Sequence, residues 1–339
     1  MSRITSRSGF GPLFGILITS VALAIVGAQT PGASSSVIRL DPALDAIISS
    51  SATLDIVSRD PAGTEGPVWI KDGQYLLFTS SDNKGRIYKL TGGSTLSPFL
   101  EPSGGATGLA FDQQGRLILA EFADKALVRI EKAGSRTTLA DQFEGRPLNG
   151  PNDVSVGRDD SIYFTDELSV FRWKNGMLQE LIRSVVTGGN VVNGRPGGRV
   201  VNGITVSPDG KFLYLVVVPQ KGSRKIARYE LKPDGTFDGQ RGRDGTITDE
   251  RIWFPLPDQD PPPTRQSGQP DGIKVDLKGN VYFGGPGGLW IVSPDATHLG
   301  TILVPGGQSN LSFGDADGKT LYIMLGAGVA RIRLVSQAL

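Results

Sequence analysis

The stretch "VNGITVSPDGKFLYL" (201–215) shows the unit from which the chain is built. Asn202 precedes a short run in which apolar residues alternate with others, a turn containing Asp and Gly follows, and a second apolar run returns. Alternation with a period of two predicts a strand with one buried face, and an Asp-Gly turn between two such runs predicts a β-hairpin. The stretch therefore predicts a hairpin with a polar residue at the start of its first strand.

The same unit recurs five times along the chain. Its other copies are "TEGPVWIKDGQYLLF" (64–78), "TGLAFDQQGRLILAE" (107–121), "PNDVSVGRDDSIYFTD" (151–166), "QPDGIKVDLKGNVYF" (269–283) and "SNLSFGDADGKTLYI" (309–323). We call the aligned residues at the start of each unit the frame residues: Glu65, Thr107, Asn152, Asn202, Asp271 and Ser309. Their spacings are 42, 45, 50, 69 and 38 residues, and a third apolar run follows each hairpin.

Repeats of this length predict the fold. Units of about 40–50 residues with three or four strands each are typical of a β-propeller. Six units predict an all-β, six-bladed β-propeller over residues 38–339. The run "ATLDIVSR" (52–59) precedes the first unit and is predicted to supply the outer strand of the sixth blade, which closes the ring. A β-sandwich is the alternative, but it does not explain six repeats in register. The Pro- and Gly-rich segment 234–268 is predicted to be a long edge connection, with a lid over one face as an alternative.

Composition excludes several classes of function. The net charge is +1 without a long run of either sign, so the basic patch that nucleic-acid binding requires is missing and no nucleic-acid partner is expected. There is no cysteine, which excludes disulfides, zinc–thiolate sites and iron–sulfur clusters. His298 is the single histidine and cannot build a His-rich metal site.

The first residues of the chain predict export. Arg3 and Arg7 precede an apolar run at 11–28 that ends with small residues at the −3 and −1 positions of a cleavage site. We therefore expect residues 1–28 to be a signal peptide, residues 29–37 a flexible linker, and the mature protein to be periplasmic or secreted. No stable membrane association is expected after cleavage. An uncleaved membrane anchor is the alternative, because the apolar run approaches the length that spans a bilayer.

The frame residues predict a metal site. The innermost strand of every propeller blade lines the central channel, so equivalent positions lie at one height around one axis. Four of the six carry strong oxygen ligands: Glu65, Asn152, Asn202 and Asp271. Taken singly, each fits a turn or a cap. Taken together, two carboxylates in one narrow channel are costly unless a cation compensates them. Oxygen ligands favour Ca²⁺, with Mg²⁺, Mn²⁺ and Zn²⁺ as alternatives.

The second strand of each hairpin returns to the same rim of the channel. Its end carries Asp82, Glu121 and Asp166 in three of the units. These acids are candidate substrate contacts around the metal, and solvated loop acids are the alternative.

The motifs together resemble a known family. "TEGPVWIKDGQYLLF", "LNGPNDVSV" (148–156), "VNGITVSPDGKFLYL" and "QPDGIKVDLKGNVYF" resemble, in kind and order, the gluconolactonase/regucalcin/luciferin-regenerating-enzyme family, and secreted bacterial gluconolactonases in particular. The resemblance runs from about residue 40 to the C-terminus. It implies a six-bladed propeller with one channel metal, usually Ca²⁺, held by Glu65, Asn152, Asn202 and Asp271. It also implies that Asn152 contacts substrate in some members and that Asp271 acts as general base.

Three departures from the family lie at the predicted rim. Where many relatives read "CEH", this chain reads "AEF" (120–122), so that Phe122 replaces a histidine. The stretches "FTSSDNKGRIY" (78–88) and "FTDELSVFRW" (164–173) also differ from their usual forms. These changes leave the predicted metal ligands intact and leave the substrate open.

The sequence therefore predicts a calcium-dependent lactonase. A sugar lactone, a small-molecule substrate, would bind with its carbonyl at the metal, and water would attack while Asp271, or Glu65 as the alternative, takes the proton. Two alternatives remain at this point. One is a phosphotriesterase-like hydrolase on the same site, and the other is a non-catalytic ligand-binding propeller in which calcium serves as a structural pin.

Overall fold

A computed structural model describes residues 36–81, 85–166, 169–183, 191–192, 195–196, 201–218, 224–237, 251–257 and 269–338. They belong to one compact unit, residues 35–339. The predicted signal peptide, the linker up to residue 35 and the candidate substrate contact Asp82 lie outside the described residues. No helix in the described ranges is long and apolar enough to cross a membrane.

Strands dominate the described chain, and a short 3₁₀ helix at Pro42–Ala46 follows the first of them. In chain order the strands are β1 (Val37–Arg39), β2 (Asp55–Ala62), β3 (Thr64–Ile70), β4 (Tyr75–Ser80), β5 (Arg86–Thr91), β6 (Thr95–Leu100), β7 (Ala106–Phe111), β8 (Leu117–Glu121), β9 (Ala126–Ile130), β10 (Arg136–Ala140), β11 (Gln142–Phe143), β12 (Arg146–Pro147), β13 (Pro151–Val156), β14 (Ile162–Asp166), β15 (Ser169–Lys174), β16 (Met177–Arg183), β17 (Val191–Val192), β18 (Arg195–Pro196), β19 (Val201–Val206), β20 (Phe212–Val217), β21 (Lys225–Glu230), β22 (Ile252–Pro255), β23 (Ile273–Val275), β24 (Val281–Gly285), β25 (Gly288–Val292), β26 (His298–Leu303), β27 (Gln308–Gly314), β28 (Thr320–Leu325) and β29 (Ala327–Arg333).

The strands form the six antiparallel blades of a β-propeller, which confirms the predicted fold. From the inside outwards, the blades run β3-β4-β5-β6, β7-β8-β9-β10, β13-β14-β15-β16, β19-β20-β21-β22, β23-β24-β25-β26 and β27-β28-β29-β2. The inner strands β3, β7, β13, β19, β23 and β27 each contact the next one, and β27 contacts β3.

The ring is closed by a strand from the N-terminal side, as the sequence predicts. β2 pairs with β29 in the sixth blade, with Asp55 opposite Arg331. The last blade thus combines three strands from the C-terminal end of the chain with one from the beginning. Because β2 leads directly into β3, this pairing joins the last blade to the first.

Two outer strands differ from expectation. β1 pairs with β26 and adds a fifth strand to the fifth blade, beginning at Val37, the last residue of the expected linker. β22 lies inside the segment 234–268 and pairs with β21, so part of this segment is the outer strand of the fourth blade rather than a connection. Residues 238–250 and 258–268 lie outside the described part of the chain, and the lid alternative stays a prediction.

The core lies between neighbouring blades. Each second strand is covered on both faces, so it reads as a run of apolar residues without alternation. Leu213 and Leu215 of β20 are both 0% exposed and pack in one cluster with Tyr163 of the preceding blade. Burial of one such leucine contributes about 1.5–3 kcal/mol, and this packing holds the blades rigid around the channel.

Candidate metal centre and substrate cavity

The frame residues adjoin one another around the channel, through links that pass from blade to blade. Five of the links are hydrogen bonds: Thr107 Oγ1 to Asn152 O (2.8 Å), Asn152 Nδ2 to Asn202 Oδ1 (2.7 Å), Gly203 N to Asp271 O (3.1 Å), Gly272 N to Ser309 O (2.7 Å) and Ser309 Oγ to Thr64 O (2.5 Å). The sixth is the close packing of Gly66, beside Glu65, on the carbonyl oxygen of Thr107. The structure therefore brings the predicted ligands to one ring.

Glycine directly after a frame residue makes this close approach feasible. A Cβ atom on Gly66 or Gly203 would lie 2.1 Å from the carbonyl oxygen of the neighbouring frame residue, Thr107 or Asp271. A Cβ on Gly108 would lie 2.5 Å from the corresponding oxygen of Asn152. No side chain fits at these distances, so the glycines let adjacent inner strands touch at the height of the ring.

Two inner strands carry a polar side chain at this position instead of glycine. Asp153 follows Asn152 and Asn310 follows Ser309, and they are 5% and 1% exposed. The Asn310 Nδ2 donates to both carboxylate oxygens of Asp153, at 3.0 and 3.3 Å. The third and sixth blades stand opposite each other in a ring of six, so this hydrogen bond crosses the channel.

The orientation of the Asn310 amide is fixed by its own strand. Its Oδ1 accepts a hydrogen bond from the backbone N–H of Leu311 at 2.9 Å, which turns Nδ2 towards the channel. The same Nδ2 lies 3.4 Å from Oε2 of Glu65, within reach of a long hydrogen bond. Asn310 therefore connects Asp153 with Glu65.

A repeated irregularity explains why successive residues face the channel. In five blades the pairing between the first and second strands shifts beside the frame residue: at Glu65/Val68, Ala106/Gly108, Pro151/Val154, Val201/Ile204 and Gln308/Leu311. A β-bulge redirects side chains and is common beside functional sites. Strict alternation ends there, so a period of two does not predict that Asp153 and Asn310 face the channel.

The donors at the ring suit a hard cation. Glu65 and Asp271 supply carboxylates, while Asn152 and Asn202 supply amide oxygens and already touch each other. Within the described ranges, no group of three or more His, Cys, Asp or Glu residues is placed to hold a metal ion. A cation at this ring would therefore depend on two carboxylates, the amide oxygens and water, a set that Ca²⁺ accepts. The assignment of these four residues as ligands stays a prediction.

A cavity of about 580 Å³ opens beside Glu65 and Thr107, and we call it the mouth cavity. Hydroxyl groups and aliphatic or aromatic groups both line it, among them Thr79, Ser80, Ser81, Pro102, Phe122 and Ala123. The Phe122 ring packs on Gly150, where a Cβ would lie 2.9 Å from it. The residue that departs from the family motif thus forms part of the wall.

The two described acids among the candidate substrate contacts are buried. Glu121 is 1% exposed, accepts a hydrogen bond from Arg136 Nη2 at 2.5 Å and lies behind Gly104 of the cavity wall. Burial raises the pKa of Glu121 to about 7, although Arg136 lowers it. Asp166 is 3% exposed and accepts from the backbone N–H of Asn149 at 2.7 Å. Both acids hold the rim together in this structure, and their contact with substrate stays a prediction.

The single histidine lies away from the ring. His298 begins the outer strand β26, and its ring stacks on Trp290 with centroids 4.0 Å apart. Burial lowers its pKa to about 4, so the imidazole is neutral at physiological pH. It packs as part of the fifth blade and offers no base to the channel.

Comparison with known proteins agrees with this architecture. The family model described as SMP-30/Gluconolactonase/LRE-like region matches residues 63–326. A gluconolactonase of Zymomonas mobilis is 30% identical over 93% of this chain and 91% of its own length. The solved structure of a gluconolactonase from Xanthomonas campestris is 25% identical, with a TM-score of 0.71 over 88% of this chain and 94% of that one. Regucalcin from Agrobacterium tumefaciens, a calcium-binding protein, shares the fold, with 17% identity and a TM-score of 0.63 over 83% of this chain and 93% of that one.

Proposed function

Because the chain belongs to the SMP-30/gluconolactonase/LRE-like family, we propose that it is a hydrolase that opens a sugar lactone at the ring of frame residues with the help of a divalent cation. The observation that carries the proposal is the ring itself. It links the strands of Glu65, Asn152, Asn202 and Asp271 around the channel, and Glu65 lines the mouth cavity. The similarity of the chain to gluconolactonases over most of its length supports lactone opening as the reaction.

The four oxygen donors favour Ca²⁺ as the cation. When bound, it would polarise the lactone carbonyl and stabilise negative charge on its oxygen in the transition state. Glu65, Asn152, Asn202 and Asp271 would hold it, because the Asn152–Asn202 contact and the glycines beside the frame residues fix the distances between the inner strands.

Asp271 is the residue we assign as general base. Both carboxylates of the ring, Asp271 and Glu65, are partly exposed and open to water; Asp271 is the base that the family resemblance implies, and Glu65 is the alternative. The carboxylate takes a proton from the attacking water while oxygen adds to the carbonyl carbon. The ring C–O bond then breaks, and the proton passes to the leaving alkoxide. The product is an open-chain hydroxy acid, and Asp271 is regenerated.

The mouth cavity suits a sugar ring. The exposed Ser81 presents a hydroxyl group that can bond to those of a sugar, while the buried hydroxyls of Thr79 and Ser80 already donate to Thr107 O and Ala62 O. Phe122 lines the same cavity with an aromatic surface, which can pack against the C–H face of the ring. This pairing of a hydroxyl with an aromatic ring favours a lactone that carries hydroxyl groups over a plain one.

The substrate is tested by proton release on three compounds. The protein, residues 29–339, is given D-glucono-1,5-lactone, δ-valerolactone and a phosphotriester, and spontaneous hydrolysis is subtracted. We expect kcat/KM for the sugar lactone to exceed that for δ-valerolactone by about tenfold or more, because the sugar's hydroxyls can bond to polar groups of the cavity and δ-valerolactone has none. Equal rates on the two lactones, or turnover of the phosphotriester alone, would contradict the proposal.

A further inference from the structure

The loop between β8 and β9 adds an acid to the mouth cavity that the proposed reaction does not use. Asp124 lines this cavity together with Glu65, and no Lys or Arg lines it among the described residues. The stretch 82–84, outside the described part of the chain, contains one acid and one base, Asp82 and Lys84, so its net charge is zero. The described wall of the cavity therefore carries negative charge without positive charge.

Backbone hydrogen bonds fix the position of Asp124. Its N–H donates to Gly104 O at 3.1 Å, and the N–H of Phe122 donates to Gly105 O at 3.2 Å. Gly104 and Gly105 belong to the cavity wall, and a Cβ on Gly104 would lie 3.0 Å from Oδ2 of Asp124. The carboxylate thus lies against the wall, and one short loop presents both Asp124 and Phe122 to the same cavity.

Two other acids beside this cavity already have a role. Glu121 accepts a hydrogen bond from Arg136 at 2.5 Å, and Glu65 is a predicted ligand of the cation. Asp124 differs from both, because it is exposed and no hydrogen bond or ion pair engages its carboxylate in the described part of the chain. Both oxygens of Asp124 are therefore available to accept hydrogen bonds from a ligand in the cavity.

A carboxylate and an aromatic ring in one cavity suit a neutral sugar. The carboxylate can accept charge-assisted hydrogen bonds from two neighbouring hydroxyl groups, while the ring of Phe122 packs against the C–H face. The same charge repels an anionic group. A cavity of about 580 Å³ is roughly 10 Å across, about one Debye length at moderate salt, so a negative charge on a bound lactone would lie within reach of this repulsion.

We propose that Asp124 is a specificity-determining residue: it binds hydroxyl groups of a neutral sugar lactone and disfavours lactones that carry a negative charge, such as a phosphorylated sugar lactone. The product of the proposed reaction is the anion of a hydroxy acid, so the same repulsion favours its release. The inference rests on the proposed function, since it presupposes that a lactone is opened beside this cavity.

The test compares D-glucono-1,5-lactone with the same lactone phosphorylated on O6, using residues 29–339 with Ca²⁺ at low ionic strength and subtracting spontaneous hydrolysis. The wild type should prefer the neutral lactone in kcat/KM by about tenfold or more. In Asp124→Asn, kcat/KM should fall about threefold or more for the neutral lactone, mainly through KM, because the hydrogen bonds lose their charge. It should rise about threefold or more for the phosphorylated lactone, because the repulsion is gone.

Asp72→Asn is the matched control. Asp72 is exposed in the turn after β3, at the end of that strand opposite to Glu65 and therefore about 15 Å or more from the ring. Its substitution removes the same charge, yet kcat/KM for each lactone should stay within about twofold of the wild type. Asp124→Glu keeps the charge at the cavity and should retain the preference for the neutral lactone over the phosphorylated one.

Opposite changes for the two lactones separate this role from damage to the site, since a distorted or unfolded variant would lose activity on both. If Asp124→Asn lowers both rates together, or leaves the preference of the wild type unchanged, the role of Asp124 is overturned while the proposed function stands. A wild type that prefers the phosphorylated lactone has the same meaning. A wild type that opens neither lactone overturns the proposed function and this inference with it.

Discussion

Gly203→Ala should separate two of the predicted ligands. Gly203 follows Asn202, and its backbone N–H donates to the Asp271 carbonyl oxygen at 3.1 Å. An alanine Cβ would lie 2.1 Å from that oxygen, whereas real Cβ atoms essentially never approach closer than 3.0 Å. The strands must therefore move apart by about 1 Å. Overpacking of this kind costs about 1–3 kcal/mol and the lost hydrogen bond about 1 kcal/mol, so we expect the free energy of unfolding to fall by about 2–4 kcal/mol.

The assay compares urea unfolding and lactone turnover with those of Gly326→Ala. A Cβ on Gly326 would meet its nearest atom at 3.6 Å, an ordinary contact, and this residue is exposed. A displacement of about 1 Å at a catalytic ring can lower kcat/KM about 100-fold, so Gly203→Ala should lose activity as well as stability. If Gly203→Ala were as stable and as active as Gly326→Ala, the close contact between the inner strands would be refuted.

Three further predictions concern pH dependence and processing. Burial lowers the pKa of His298 to about 4, so the unfolded chain takes up this proton at a higher pH than the folded protein does. The free energy of unfolding, measured by urea titration, should therefore fall as the pH is lowered from 6.5 to 4, and His298→Gln should reduce that fall. A fall of the same size in His298→Gln would contradict this. Burial raises the pKa of Glu121 from 4.5 to about 7, so the folded state loses stability as the pH rises from 4.5 to 7. The free energy of unfolding of Glu121→Gln, relative to that of the wild type, should therefore be higher at pH 8 than at pH 4. An equal difference at the two pH values would refute this prediction. We also propose that residues 1–28 are removed when the protein is exported to the periplasm or secreted. Mass spectrometry of the exported protein should then find Gln29 at its N-terminus. Retention of residues 1–28 would favour the membrane anchor.

The repeating part of the fold could be predicted because its signals are local. Each hairpin combines a period-two run with an Asp- or Gly-containing turn, and both depend on a few neighbouring residues, as in the turn at Asp209 and Gly210. Alignment of the repeats then predicted that four residues with metal-ligand side chains lie at one height in the central channel. The closing strand β2 was also foreseen, because a ring of blades needs one more outer strand than the C-terminal repeat supplies.

The outer strands β1 and β22 were not foreseen. They have only three and four residues, too few to show a period of two, although Val37 of β1 and the rings of Trp253 and Phe254 of β22 pack against the core. β22 also lies in a segment whose Pro, Gly and charged residues indicate a loop.

The second layer of the channel was missed for a different reason. Alternation would turn Asp153 and Asn310 away from the face on which Asn152 and Ser309 lie, but the register shift beside each frame residue ends the alternation. Asp124 lies in the connection between β8 and β9, outside the aligned part of the repeats, so no repeated motif marked it. The hydrogen bond from Arg136 to Glu121 likewise joins residues two strands apart in the blade, which no local pattern marks.

The most direct test of the account is the rate at which the protein, residues 29–339, opens D-glucono-1,5-lactone as free Ca²⁺ is varied, compared with Asp271→Asn and with Asp209→Asn as a surface-turn control. We predict turnover that a chelator abolishes and Ca²⁺ restores, about a 100-fold or greater loss in Asp271→Asn from loss of the general base, and wild-type rates in Asp209→Asn. Turnover that resists the chelator, or Asp271→Asn as active as Asp209→Asn, would contradict a metal-dependent lactonase at the frame ring.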